Sequence, residues 1–74
     1  MRAFHFTPIG GPKARCWQVR DGGPAGRLLG TIAAESGGFQ ATHVAPGGKL
    51  LLHWSADRDA AAAWLASVAP KMTR

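Results

Sequence analysis

The sequence predicts an α+β domain: an antiparallel sheet of four strands, or five if the N-terminal segment joins, with one C-terminal helix packed on one face. Three observations carry this. Glycine and proline cut the chain into short pieces at 7–13, 21–26, 35–38 and 45–49. The pieces between them alternate with period two, as half-buried strands do. After Trp54 the period changes to that of a helix.

The elements follow in order. "RAFHFT" at the start places Phe4 and Phe6 on one face of an edge strand, with a loop out to residue 14. "RCWQVR" (15–20) puts Trp17 and Val19 on one face and Cys16, Gln18 and Arg20 on the other. "RLLGTIAA" (27–34) sets Leu28, Gly30, Ile32 and Ala34 against Leu29, Thr31 and Ala33. "FQATHV" (39–44) separates Phe39, Ala41 and His43 from Gln40, Thr42 and Val44. "KLLLHW" (49–54) aligns Leu50, Leu52 and Trp54 against Leu51 and His53. Short Gly-rich links between such runs favour a meander.

In "SADRDAAAAWLASV", Ala61, Trp64, Leu65 and Val68 recur at i, i+3, i+4 and i+7, one face of a helix over about 56–68. The alanine run favours helix locally. Ser55 or Asp57 can cap its start, and Asp57 and Asp59 suit the positive end of the dipole. Pro70 stops it, which leaves 69–74 as a frayed tail. The helix covers one sheet face, so Trp64, Leu65 and Val68 are expected to meet Trp17, Val19, Leu28, Ile32, Phe39, Ala41, Leu50 and Leu52. Trp54 is expected to plug the space under the helix start.

The totals bound the class. Seventy-four residues make one domain, and a chain of this size buries only roughly 60% of its unfolded surface. Such scaffolds need a staple. Cys16 is the sole cysteine, so no disulfide forms within the chain. His5, His43 and His53 show no metal-ligand spacing. Tight packing or self-association remains. Nine Lys and Arg against four Asp and Glu give a net charge of +5, which suits a polyanion and also aids solubility. No apolar stretch is long enough to span a membrane, and the first residues lack the run of a signal peptide. With a lone cysteine, the expectation is a cytoplasmic protein. The Gly, Ala and Arg bias and the lack of Tyr suggest a GC-rich bacterial, phage or plasmid source.

No catalytic constellation stands out. "GPAGRLLG" lacks phosphate-loop spacing and precedes a strand, so it reads as a turn. Asp21 and Glu35 lie at turns, and Asp57 and Asp59 at the helix start. Cys16 reads as a small core or interface residue rather than a nucleophile. The expectation is a non-enzyme with no cofactor, no metal and no small-molecule substrate.

"GGFQATH…PGGKLLLHWSADRDAAAAWL" (37–65) resembles the arm-type DNA-binding domain of tyrosine recombinases, a small fold shared with plant AP2 domains. The likeness rests on Gly38-Phe39, the Gly48-Lys49 turn, Trp54-Ser55, and Ala61-Ala62-Ala63-Trp64-Leu65. It implies a three-stranded sheet whose outer face docks in the major groove, with Gln40, Thr42, Lys49 and His53 able to reach DNA.

Two functions are therefore expected. In the first, the chain is a small basic protein that contacts duplex DNA with the outer sheet face. Arg20, Arg27 and Lys49 would hold phosphates, Gln18, Gln40 and Thr42 would lie near bases, and His53 completes the set. In the second, the same face carries apolar Leu29, Val44 and Leu51 and binds protein, either a second copy or a larger host or phage protein.

Overall fold

The computed structural model describes residues 3–11 and 13–69. Five strands are followed by one helix: β1 (Phe4–Ile9), β2 (Cys16–Asp21), β3 (Leu28–Glu35), β4 (Gly38–Val44), β5 (Leu50–Ser55) and α1 (Arg58–Val68). The strands form one antiparallel sheet in chain order, so β1 and β5 are its two edges. The N-terminal segment is thus a strand, paired along β2 from Phe4↔Asp21 to Ile9↔Cys16. Short links enforce the chain-order arrangement. The tightest is Ser36-Gly37 between β3 and β4, where Gly37 takes φ +82°, a conformation that suits glycine.

An α-helix with its side chains is about 10 Å wide, and strands lie about 4.8 Å apart. One helix therefore cannot cover five strands. α1 lies over β3, β4 and β5, chiefly β4. Its buried line is Ala61, Ala62 and Leu65, continued by Ala69 just past its end, set against Val19, Leu29, Ile32 and Ala41. The contact is close because small groups face each other. A Cβ at Gly30 would sit 2.8 Å from Leu65 Cδ2 and closer still to the Thr42 carbonyl oxygen. The N-cap, Asp57, makes no side-chain cap bond, and the Ala69 N–H closes the C-terminus on the Leu65 carbonyl at 2.9 Å. Ala69, expected to begin the tail, is buried. Residues 70–74 lie outside the described residues.

Beyond the helix, the inner face of β1 and β2 is covered by aromatic rings and one cation. Phe4, Phe6 and Trp17 pack against the core. Trp17 reaches Phe39, with ring centroids 6.2 Å apart. The Arg58 guanidinium lies 4.1 Å from the Phe6 centroid and 5.1 Å from that of Trp17.

Three sequence expectations are corrected. First, β3 carries a bulge. Val19 pairs with Gly30 and Arg20 with Leu28, so Leu29 is the extra residue. The bulge breaks the alternation. Leu29 turns into the core, 1% exposed, and Leu28 is left outside. Second, β5 presents the other face. The 45–49 turn sets Val44 opposite Leu50, so Leu50 shares the outward face of Val44, and Leu51 and His53 face the helix. A one-residue shift of this kind exchanges every side chain between faces. Leu50, Leu52 and Trp54 are therefore outside the core, and Trp54 does not lie under the helix start. Third, the helix is rotated from the expected stripe. Trp64 and Val68 are half-buried at its flank, and Leu65 fills the centre. Trp64 stacks on the His53 ring, with centroids 4.9 Å apart and planes 14° from parallel.

Candidate interaction surface

The sheet face turned away from α1 is organised by cross-strand rows. Thr7, Gln18, Thr31, Thr42 and Leu52 form one, and Ile9, Cys16, Ala33, Gln40 and Trp54 another. At the end near the β2–β3 and β4–β5 loops, His5 pairs with Arg20, Arg20 with Leu28, and Val44 with Leu50. The row Thr7, Gln18, Thr31 and Thr42 is polar, and Ile9, Cys16, Ala33 and Leu28 are not. The most exposed large apolar residues, Val44, Leu50, Leu52 and Trp54, gather on β4 and β5.

The sequence-derived DNA residues separate in this frame. Gln18, Arg20, Gln40 and Thr42 share the outer face, as their strand alternation requires. Arg20 is the one Lys or Arg that a described strand places there, and its Nη1 donates to the Gly26 carbonyl at 3.1 Å. That bond holds the guanidinium over the β2–β3 loop. Arg27 lies in the same loop, half-buried, and its carbonyl accepts the Asp21 N–H at 2.9 Å. Lys49 is exposed just before β5. His53 stands on the opposite side of the sheet against Trp64, so it cannot act with Gln40 and Thr42.

The residues named for a protein interface separate as well. Val44 is outside and 60% exposed. Leu29 and Leu51 are not outer-face residues: the bulge buries the first, and the β5 register turns the second toward α1. Their neighbours take their place. Leu50, Leu52 and Trp54 are 59%, 57% and 54% exposed, and Leu28 and Ile9 add smaller areas. One signal in the sequence points to this. A turn of five residues, 45–49, sets Val44 opposite Leu50, and alternation then carries Leu52 and Trp54 to the same side. Gly38 leaves space for Trp54: a Cβ there would collide with the indole ring.

A pocket of about 200 Å³ lies where the β3–β4 ladder ends, between Leu28, Thr31, Thr42 and Val44, with Gly30 and His43 also contributing. It is a shallow, mostly apolar extension of the same surface. His43 is buried, and its Nδ1 bonds the Leu29 carbonyl at 2.8 Å. Among the described residues, no group of three or more His, Cys, Asp or Glu could hold a metal ion. Among them, no helix is long and apolar enough to cross a membrane. The chain matches no family model, no curated protein and no solved structure.

Proposed function

We propose that the chain is a non-enzymatic protein-interaction module acting through the β5 side of its outer sheet face. The observation that carries this is the exposure of Val44, Leu50, Leu52 and Trp54 together on two adjacent strands, each more than half accessible. Scattered apolar residues on a surface need no explanation, but a contiguous group of them does. At about 25 cal/mol per Å², covering each of these side chains contributes on the order of 2 kcal/mol. Trp54 adds the large, rigid ring that interface centres favour.

Duplex DNA is the second reading, favoured by the polar row Thr7, Gln18, Thr31 and Thr42 and by the net charge of +5. It is the weaker one. A groove-reading face needs several cations for phosphates. Here the strands offer Arg20, which is held by Gly26. The recombinase-like docking needs His53 beside Gln40 and Thr42, and His53 is on the other face.

The test is a fluorescence-anisotropy titration of the full chain with a duplex at low salt. The interaction reading expects no saturable binding. Binding that falls with salt at about −0.9 per phosphate contact in a log–log plot, and that survives Leu52→Lys, would replace it with the DNA reading.

A further inference from the structure

We infer that the occupant of this surface is a second copy of the same chain, joined by antiparallel pairing of the two β5 edges about a two-fold axis at Leu52. The inference rests on the interaction-module reading and names its partner.

The two edges of the sheet differ. β1 carries Pro8, which interrupts edge donors and discourages further pairing. β5, "LLLHWS", has no proline and no Lys, Arg, Asp or Glu. An exposed apolar edge without such guards is a template for another strand.

The hydrogen-bond phase agrees. The Ala45 N–H donates to the Lys49 carbonyl at 2.7 Å. Bonded and non-bonded pairs alternate along an antiparallel ladder. His43↔Leu51 and Ala41↔His53 are then the bonded pairs with β4. Leu50, Leu52 and Trp54 turn their backbone N–H and C=O groups to the free edge. The residues that offer backbone bonds outward are therefore the ones whose apolar side chains lie exposed on the outer face.

A two-fold at Leu52 brings all three outward-facing residues, Leu50, Leu52 and Trp54, of both chains into the pairing. Leu52 meets its own copy, and Leu50 of each chain lies beside Trp54 of the other. Every outward pair is apolar with apolar, which is the self-complementarity an isologous interface requires. The ends match in charge. Lys49, just before β5, falls opposite Ser55 of the other copy and within two residues of Asp57, whose carboxylate makes no helix-cap bond. Pairing of one short edge strand from each chain makes a small interface, so a reversible dimer is expected rather than a permanent one.

The experiment is sedimentation equilibrium of the full chain up to about 1 mM, a range that resolves weak dimers. The expected result is a monomer–dimer equilibrium that Leu52→Lys weakens about tenfold or more, since it removes a central contact and places two like charges together. A second measurement needs no loss of function. A bonded antiparallel pair has Cα atoms about 5.5 Å apart, within disulfide reach. Leu52→Cys in a Cys16→Ser background should form a covalent dimer under mild oxidation, and Ile9→Cys at the other edge should not. A chain that stays monomeric, a dimer untouched by Leu52→Lys, or equal crosslinking at Ile9 overturns the second-copy inference. A monomer that also ignores duplex DNA leaves the interaction module standing with a different protein partner. Salt-sensitive duplex binding removes the module reading itself.

Discussion

His43 donates its Nδ1–H to the carbonyl oxygen of Leu29 at 2.8 Å, bridging β4 to the bulge of β3. A carbonyl only accepts, so Nδ1 carries a proton. Nε2 is buried without a partner. The ring therefore satisfies the backbone group that the bulge takes out of the ladder, while its second nitrogen is left unpaired. The bulge in turn places Leu29 in the core.

Removal of this donor should be costly. His43→Leu leaves the Leu29 carbonyl buried and unpaired, and the expected loss is about 1–3 kcal/mol in urea unfolding. His43→Asn keeps an N–H near the Nδ1 position and should lose less. Equal losses for the two variants would show that the bond contributes nothing beyond packing.

Gly30 sits at the closest approach of sheet and helix. In Gly30→Ala the new methyl meets the Thr42 carbonyl and Leu65 Cδ2, and the backbone on one side cannot yield as a flexible side chain would. Overpacking of this kind costs about 1–3 kcal/mol. A midpoint of denaturation unchanged from wild type would mean that α1 does not press on β3 as described.

Much of the fold is legible because glycine and proline mark the turns and each strand alternates locally. What is not legible is which of two neighbouring apolar residues faces in. Leu28 and Leu29 are chemically identical, and only the pairing with β2 reveals the bulge between them. Leu50, Leu51 and Leu52 fit either face, and the 45–49 turn makes the choice. In α1, alanines at 60–63 give no polar contrast, so the large Trp64 draws the expected stripe to its own side, while Ala61, Ala62 and Leu65 make the contact. The candidate surface suffers the same shift. Val44 does face outward and is exposed, and Leu29 and Leu51 each stand one residue from the exposed Leu28, Leu50 and Leu52.

The helix rotation reverses a mutational ranking. Leu65 is fully buried, and Leu65→Ala should cost about 2–5 kcal/mol. Trp64→Ala removes a larger side chain, but one that is half-exposed and stacked on His53, so it should cost less than Leu65→Ala. Chemical denaturation of the two variants decides the order. A greater loss from Trp64 would restore the stripe drawn from the sequence.

Arg58 closes the inner face beyond the reach of the helix, over Phe6 and Trp17. Arg58→Met keeps much of the apolar stem and removes the cation. The expected loss is about 0.5–1 kcal/mol, with a change in tryptophan fluorescence as the ring environment changes. A stability unaltered by Arg58→Met would leave the cation–π contact without energetic weight.

The β5 register makes the last prediction, and it separates the two faces directly. Leu50→Lys and Leu52→Lys introduce charges at positions more than half exposed, so the stability of the isolated fold should change by no more than about 0.5 kcal/mol. Leu51→Lys places the same group between them in sequence but on the side of α1, opposite His43 in the ladder. There the ammonium must either leave its hydration or displace neighbouring side chains, and a loss of about 1–3 kcal/mol is expected. Measured at concentrations below self-association, tolerance at 50 and 52 with sensitivity at 51 is the signature of this register. The opposite pattern would put Leu50, Leu52 and Trp54 back beneath the helix and remove the apolar face on which the interaction reading depends.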